Sequence, residues 1–490
     1  MDTFPGDIKQ LRDGNFDLLG VPIGDSPFCK DYLRRERLEK AKNRLVELPE
    51  LQDTHAAYKI LATCLGSCKM MYAMRTTRSD WAIEICGEFD ALVCETTESL
   101  FGTSLTDYTW KQACLSTSGG GMGLRSAAVH APAAFLTSSA GTYDLCRQLD
   151  PGFLWEGADP SGEINASADI LNGALSTAGH VDVRAPPGYD ISALRQTELS
   201  EKLEKDQFQA LLVQGATTDR ARLRAAAAPH AGAWLNSPAT SALGLRLTSA
   251  EFTAAALLRI GGLLLGSEAW CSRCDQVLTQ RCDHATRCHG GGDITVRHNG
   301  LRDECYYRCL SASMPAEREI SGLLPSDPRR RPADVFLPTC PGLGPVALDF
   351  AVTCPLQAAM VHDAAGRTLA AAMDYEAKKL EDRQTGARCS QLGFQLIPMV
   401  VETLGGWGPA AQKLFRVIAK SSAEVSGLEE SVAVCQIYEG MAIKLQRANA
   451  RAILSRVSAA SAARRDNTAL AATSRSEAAL VLSSAVAVGG

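Results

Sequence analysis

The sequence predicts a multidomain α+β protein with a mostly helical N-terminal half, a small cysteine-rich segment, an α/β domain with a mixed sheet, further C-terminal helices and a disordered tail. Three observations predict this fold class. Apolar residues recur at spacings of three and four through much of the first half of the chain, as in amphipathic helices. Cysteine and histidine cluster within residues 271–288. Two β-prone runs, 334–337 and 346–352, flank a Pro/Gly-rich connection, which is typical of a hairpin.

Length, charge and cysteine usage limit the class of protein. A chain of 490 residues is long enough for about two to four domains with apolar cores. The formal charge of −5 excludes a polycation, so any nucleic-acid contact must come from local patches. Seventeen cysteines without a secretion signal indicate an intracellular reducing compartment, nuclear or cytoplasmic. The longest apolar run, 257–266, contains Arg259 and is too short to span a membrane, so no membrane partner is expected.

Helical periodicity dominates the first half of the chain. It predicts helices over residues 28–48, 54–74 and 79–100. The glycine-rich stretch 116–125 lacks the Gly-Lys-Ser/Thr ending of a phosphate-binding loop. We therefore expect a flexible turn there, before a helix that starts near Ser126.

Changes in composition divide the chain into six segments. Residues 181–190 are the best candidate for a linker, and the Ala/Ser-rich end of the chain contains no aromatic residue, which favours disorder. The predicted segments are a helical region (1–150), an Ala-rich helical region (151–266), the cysteine-rich segment (267–292), the α/β domain (293–410), C-terminal helices (411–457) and the tail (458–490).

Four residues in the cysteine-rich segment have the spacing Cys-x2-Cys-x9-His-x3-Cys, namely Cys271, Cys274, His284 and Cys288. Zinc favours four thiolate and imidazole ligands in a tetrahedron, and a Cys-x2-Cys turn supplies two of them with little strain. The spacing therefore predicts a structural Zn²⁺ site on which this small segment depends for its fold. Cys282 and His289 remain alternatives for the second pair of ligands.

The predicted hairpin contains two aspartates. If the hairpin is symmetric, its centre falls between Pro341 and Gly342, and Asp334 lies opposite Asp349. Facing carboxylates repel each other, which raises one pKa unless a hard cation such as Mg²⁺ bridges them. The alternative is that Asp334 only initiates a strand and Asp349 faces solvent on an edge strand.

Cationic side chains surround this acidic pair in the sequence. A helix follows the hairpin over 368–383, and on it Tyr375 and Lys379 share a face. Glu317 and Glu319 precede the hairpin and can place a third carboxylate nearby. We expect a cationic rim that contacts the phosphate backbone, although a solvated face is the alternative. The rim comprises Arg297, His298, Arg302, Arg329, Arg330 and Arg331.

Several motifs together resemble a known family. They are Cys271-x2-Cys274 with Asp283-His284 and Cys288, Gly291-Gly-Asp293, Arg297-His-Asn299, Arg331-Pro-Ala-Asp334, Leu348-Asp349-Phe-Ala-Val352 and Tyr375-Glu-Ala-Lys-Lys379. In this order they resemble the C-terminal part of non-LTR retrotransposon reverse transcriptases that carry a restriction-like endonuclease. Residues 16–24 and 120–127 are similar to segments that follow the polymerase palm of that family. The resemblance covers roughly residues 15–455.

The resemblance implies a fold and a chemistry for each segment. It makes residues 1–150 a thumb-like region, 267–292 a CCHC zinc knuckle, and 293–410 a nuclease of the PD-(D/E)XK type. It implies that Asp334 and Asp349 hold a catalytic Mg²⁺ and that Lys379, with Lys378 in reserve, acts on the attacking water. Glu319 would be an auxiliary acid.

Two departures from the family qualify this expectation. The chain contains no adjacent Asp-Asp pair, so the polymerase's aspartate box is absent from it and no reverse transcriptase activity is expected from this chain alone. The position two residues after the second acid, where the family pattern has lysine, is Ala351.

The function implied is metal-dependent phosphodiester hydrolysis that nicks a DNA duplex for target-primed reverse transcription. The element's RNA is a second candidate partner. The competing hypothesis is a catalytically inactive retroelement relic that acts as a zinc-dependent nucleic-acid-binding module.

Overall fold

The computed structural model describes residues 13–155, 157, 159, 161–184, 195–328 and 331–462. About 60% of the chain is helical, with a small mixed sheet, which confirms the predicted combination of α and β structure. The described residues form two compact units. The first lies within Met1–Leu51, Ile60–Thr97 and Leu124–Ala210, and the second within Gln52–Lys59, Glu98–Gly123 and Leu211–Gly490.

The helices in chain order are α1 (Ser26–Leu33), α2 (Glu39–Leu45), α3 (Thr54–Ile60), α4 (Met71–Thr76), α5 (Ser79–Phe101), α6 (Asp107–Cys114), α7 (Ala127–Leu149), α8 (Glu163–Ala174), α9 (Gln196–Gln214), α10 (Thr217–Ala226), α11 (Ala233–Asn236), α12 (Ser249–Ile260), α13 (Asp293–Ser311), α14 (Val361–Gly366), α15 (Ala370–Glu381), α16 (Thr385–Gln391), α17 (Pro409–Ser426) and α18 (Glu430–Ala462). The strands are β1 (Phe16–Leu18), β2 (Val21–Ile23), β3 (Ala269–Trp270), β4 (Val277–Leu278), β5 (Glu317–Arg318), β6 (Val335–Cys340), β7 (Gly344–Thr353) and β8 (Gln395–Glu402).

The predicted helices are mostly present, with one interruption. A π turn, Arg34–Leu38, joins α1 to α2 into nearly the span predicted for the first helix. The second helix was wrongly predicted to be continuous. Gly66 adopts an extended conformation and separates α3 and its π turn from α4. α7 begins where expected, since the Ser126 side chain accepts a hydrogen bond from the Val129 amide as its N-cap.

The first unit has its own apolar core, built largely from α7, α8 and α9 around Tyr143 and Trp155. The indole Nε1 of Trp155 donates to the carbonyl of Val183 at 2.8 Å. Val183 is buried, so the first part of the predicted linker packs instead of standing free. Residues 185–190 of that linker lie outside the described residues.

The second unit contains a four-stranded sheet of order β5-β6-β7-β8, in which β6 and β7 are antiparallel and β7 and β8 are parallel. The sheet is therefore mixed, as predicted. Val346, Leu348 and Phe350 alternate onto one face, where they pack with residues of α13, α17 and α18. Ala347 and Ala351 lie on the opposite face, with residues of the α16 and α15 regions.

The β6–β7 hairpin confirms the predicted register next to the acids. Val335 pairs with Leu348 and Leu337 with Val346, as symmetry about the bond between residues 341 and 342 requires. One residue further, Asp334 lies beside Asp349, and its amide donates to the carbonyl of Leu348 at 2.8 Å. The register shifts only near the turn, between Leu337 and Cys340.

The end of the last helix corrects one boundary. α18 continues to Ala462, so residues 458–462 are helical and the predicted tail does not begin at 458. The rest of the predicted tail lies outside the described residues.

Candidate metal centre and carboxylate site

Two short elements bring the four cysteine and histidine ligands together. β3 and β4 form a tight antiparallel hairpin, and the Cys271 amide donates to the carbonyl of Gln276 at 2.9 Å. This turn supplies Cys271 and Cys274. His284 lies in the 3-10 turn Asp283–Thr286, and Cys288 follows it.

The geometry of the four side chains fits a tetrahedral metal. Their ligand atoms all lie within 4.8 Å of one another. The Cys271 and Cys288 sulfurs are 3.8 Å apart, and Cys274 Sγ lies 3.5 Å from Cys288 Sγ and 3.1 Å from His284 Nε2. Zn–S bonds of about 2.3 Å give S···S edges of about 3.8 Å in a tetrahedron. This Cys3His cluster could therefore bind a metal such as zinc.

The two alternative ligands lie elsewhere. Cys282 is fully buried in a left-handed conformation, and burial raises the pKa of its thiol to about 12. His289 is exposed and does not belong to the cluster. The structure therefore selects His284 and Cys288 as the second pair.

A buried arginine from the C-terminal helix lies beside the thiols. Arg456 of α18 donates to the carboxylate of Asp293 at 2.7 Å and to the carbonyl of Gly290 at 2.9 Å. Burial by itself lowers the pKa of its guanidinium, but the Asp293 carboxylate and the neighbouring thiols of Cys288 and Cys271 raise it above its ordinary value. Sequence reasoning missed this residue, since it lies 168 positions after Cys288 (456 − 288) with no motif around it.

The sheet places Asp334, Asp349 and Lys379 together. Asp349 follows the alternation of β7 and shares a face with Ala347 and Ala351, against which α15 packs. Lys379 of α15 reaches across so that its Nζ lies 2.5 Å from Asp349 Oδ1. Lys378 instead pairs with Asp374 on its own helix. Of the two lysines, Lys379 is therefore the one at the acids.

His298 is the other basic side chain at this site. Its Nε2 lies 3.1 Å from Asp334 Oδ2, which also accepts the Phe350 amide at 2.6 Å. The hydrogen bond to Asp334 raises the pKa of the His298 imidazole. Burial by itself raises the pKa of Asp334, but His298, the Phe350 amide and Lys379 lower it below its ordinary value.

The pKa values of the two acids are shifted in opposite directions. Burial raises the pKa of the Asp349 carboxyl, and the neighbouring charge of Asp334 adds to this, although Lys379 opposes it. Facing carboxylates that repel each other were predicted to raise one pKa, and Asp349 is the one raised. Among the described residues, Asp334 Oδ1 and Asp349 Oδ2 have no hydrogen-bond partner.

The structure corrects the predicted cationic rim. Arg297 is only 4% exposed and donates to the carbonyl of Thr286 and, at 2.8 Å, to Asn449 Oδ1 of α18, so it cannot reach a phosphate. Arg302 is also buried, and it pairs with Asp303 and Glu319.

The remaining residues of the predicted rim either contact an acidic side chain or lie outside the described residues. His298 contacts the Asp334 carboxylate and therefore belongs to the acidic site. Arg331 is exposed and pairs with Glu319 at 3.2 Å. Glu319 is therefore held by two arginines, with its amide donating to the carbonyl of Asp334 at 3.0 Å. Arg329 and Arg330 lie outside the described residues.

Two glutamates that the sequence did not single out fix the helix that carries Lys379. α15 has no side-chain cap of its own, and the buried Glu402 at the end of β8 accepts from the Ala372 and Ala371 amides in its first turn. Glu376 of α15 in turn accepts from the Ala410 amide at 3.1 Å, at the start of α17. α15 is thus bonded to the sheet at its first turn and to α17 in its middle.

Comparison with known proteins adds no family assignment. Within the described part of the chain, no helix has the length and apolar character needed to cross a membrane. No protein-family model matches the sequence, and no curated protein matches it either. The resemblance to retrotransposon endonucleases therefore remains a prediction from the motifs.

Proposed function

We propose that this chain is a metal-dependent DNA endonuclease of the restriction-like PD-(D/E)XK type, with a structural zinc knuckle. The observation that carries the proposal is the contact between Lys379 and Asp349 on a sheet face that Asp334 adjoins. Two carboxylates and a lysine on one face of a mixed sheet are the groups that metal-assisted phosphodiester hydrolysis requires.

The carboxylates are suited to a hard divalent cation. Mg²⁺ takes oxygen ligands, usually from one or two carboxylates together with substrate phosphate oxygens and water. Asp334 Oδ1 and Asp349 Oδ2 are the oxygens with no hydrogen-bond partner among the described residues, so they are the ones that would hold the ion. When bound, Mg²⁺ supplies Lewis-acid polarisation of the scissile phosphate and a bound water of lowered pKa.

The protein's own groups have separable roles. His298 and the Phe350 amide fix the orientation of Asp334 by binding Oδ2. Lys379 is mostly buried and lies beside Asp349, so its ammonium is placed to orient the attacking water or to stabilise the charge that develops on the phosphate. The Glu402 and Glu376 contacts hold α15, and through it the position of Lys379.

The test is cleavage of single- and double-stranded DNA with Mg²⁺ or Mn²⁺. We expect Asp334→Asn, Asp349→Asn and the double variant to fall to the same floor, because residues that act as a unit are not additive. Lys379→Met should also lose cleavage while its DNA affinity is retained. Lys378→Met is the matched control, since it neutralises the next lysine, which pairs only with Asp374, and it should cleave like the parent.

One observation favours the binding module as a second candidate. Both acids already have basic partners, Asp334 the imidazole of His298 and Asp349 the ammonium of Lys379, so neither depends on a metal for a partner. This candidate expects DNA binding that the four substitutions leave unchanged. A parent that binds DNA but does not cleave it with either metal would refute the nuclease and leave this candidate standing.

A further inference from the structure

We infer that a cavity in the second unit binds a single uncharged purine base of the guanine type, stacked on His230 and bonded along its edge by Glu439. The residues concerned lie outside both the cysteine cluster and the carboxylate site. The inference does not rest on nuclease activity or on a bound metal.

The cavity lies where α11 and α18 meet the glycine-rich stretch at Thr117 and Ser118, and all its lining residues belong to the second unit. Its volume is about 320 Å³. This is near the lower end of the range for small-molecule sites, so the cavity suits one fused ring system. The aromatic and polar side chains that line it include His230, Asn236, Tyr438 and Glu439.

His230 occupies a backbone position that normally favours glycine. Pro229 precedes it, the Ala231 amide donates to the Ala228 carbonyl at 3.0 Å, and His230 has a φ of 60°. Proline at the second position and a positive φ at the third are features of a type II turn, in which glycine or asparagine usually takes the third position. A histidine there strains the backbone, and strain of this kind is concentrated at functional sites.

The His230 ring forms a supported platform. It stacks on Tyr438 with ring centroids 3.7 Å apart and an interplanar angle of 9°. Tyr438 is only 3% exposed and packs edge-on against Phe415, whereas His230 is exposed. Because Tyr438 covers one face of the imidazole, the exposed surface of His230 is its edge and its other face. An aromatic ring with one face supported and the other open is a stacking surface for a base.

Two polar side chains at the cavity are suited to the edge of a base. Glu439 is half-buried and Asn236 is exposed, and neither side chain has a hydrogen bond or ion pair within the described part of the chain. A carboxylate only accepts hydrogen bonds, and its two oxygens match two parallel N–H groups. Guanine presents such a pair in its N1–H and 2-amino groups, whereas adenine presents an acceptor at N1. The Asn236 carboxamide can donate to the guanine carbonyl.

The charges around the cavity favour an uncharged ligand. No lysine or arginine is among the described residues that line it, so a phosphate group would have no cationic partner there. Lys59 Nζ donates to the main-chain carbonyls of Leu235 and Asn236 at 3.2 and 3.1 Å. A positive charge therefore lies beside the wall and offsets that of Glu439, which disfavours a cationic ligand.

The experiment measures binding of nucleosides to the full-length protein by equilibrium dialysis. The parent should bind guanosine, and inosine, which lacks the 2-amino group, should bind about 10-fold more weakly because one hydrogen bond to a charged acceptor is lost. Adenosine should bind more weakly still. Guanosine monophosphate should bind no more tightly than guanosine.

Glu439→Gln tests the edge contact. It should lower guanosine affinity by about 10- to 100-fold and bring the affinities for guanosine and inosine closer together, since the carboxylate that distinguishes them is gone. Glu430→Gln is the matched control, an exposed glutamate on the same helix outside the cavity, and it should bind like the parent. If Glu439→Gln does not fold, the comparison of guanosine with inosine in the parent decides.

His230→Gly tests the platform. Glycine suits the positive φ, so the variant should fold, while guanosine affinity falls about 10-fold or more because the stacking surface is removed. Displacement of guanosine by an oligothymidylate with one guanine would support the base site and assign the base to a strand. Lack of displacement, with guanosine still bound, would assign it to a free nucleoside.

Four results would overturn the inference. They are no guanosine binding by the parent at millimolar concentration, equal affinities for guanosine and inosine, parental affinity in Glu439→Gln or His230→Gly, and tighter binding of guanosine monophosphate or of the cation benzamidine than of guanosine. None of these results depends on the DNA cleavage assay, so the base site and the nuclease can fail separately.

Discussion

Glu402 provides a quantitative test of how the helix that carries Lys379 is held. Its carboxyl is 1% exposed, and one oxygen, Oε2, is buried without a hydrogen-bond partner. Burial raises the pKa of Glu402 from 4.5 to about 7, although the Ala372 and Ala371 amides partly offset this effect. The substitution Glu402→Gln keeps an acceptor for those amides and removes the titration.

The magnitude follows from linkage between protonation and folding. A group whose pKa is raised in the folded state contributes stability that is fully present below the unfolded pKa of 4.5 and is lost as pH rises through about 7. Each tenfold difference in proton affinity corresponds to about 1.4 kcal/mol, so ionised Glu402 costs the folded protein on the order of 3 kcal/mol near pH 8. Between about pH 5 and pH 8 the parent should lose about 2–3 kcal/mol that Glu402→Gln does not lose.

Urea denaturation followed by tryptophan fluorescence measures this difference. The assay gives the free energy of unfolding of each protein at several pH values, and the difference between parent and variant removes the contributions of other titrating groups. Glu424→Gln, an exposed substitution on α17, is the control and should follow the parent. Parallel pH profiles for the parent and Glu402→Gln would refute the argument that Glu402 is ionised at a cost.

Three further predictions concern the metal centre and its supports. Cys271→Ser should abolish stoichiometric zinc by elemental analysis, whereas Cys282→Ser should keep it, because Cys282 is outside the cluster. Arg297→Met should lower the free energy of unfolding by about 1–3 kcal/mol, because the Thr286 carbonyl and Asn449 Oδ1 lose their buried donor. It should leave the salt dependence of DNA binding unchanged, and a flatter slope of log K against log salt would show instead that Arg297 contacts phosphate. Gly290→Ala should destabilise the cysteine-rich segment in thermal melts, because its Cβ would lie 2.2 Å from the Arg273 carbonyl oxygen. Gly300→Ala on α13 meets no atom within 4 Å and should stabilise the protein by about 0.5–1 kcal/mol, so equal melting shifts for the two glycines would contradict the clash.

The sequence was sufficient for features that depend on neighbouring residues. The four candidate metal ligands lie within 18 residues (271 to 288), and a Cys-x2-Cys turn fixes two of them locally. The register of the β6–β7 hairpin was predictable because a slip of one residue would move Val346 and Leu348 from the core to the other face. Asp334 and Asp349 therefore meet by local rules alone.

Tertiary structure decided the features whose partners are distant in the chain. Arg297 has the charge of a phosphate ligand, but it is buried and donates a hydrogen bond to Asn449, which lies 152 residues away in the sequence. The choice of Lys379 over Lys378 follows from how α15 packs on the sheet, which turns one lysine towards Asp349 and the other towards Asp374.

The same reason explains the residues that the sequence did not reveal. Glu402 and Arg456 have no distinguishing motif, and each gains its contacts only by burial against groups brought by another element. Local propensity determines helices, turns and short ligand loops, because these depend on residues a few positions apart. The pKa of a buried carboxyl depends on desolvation, which exists only when the core has formed.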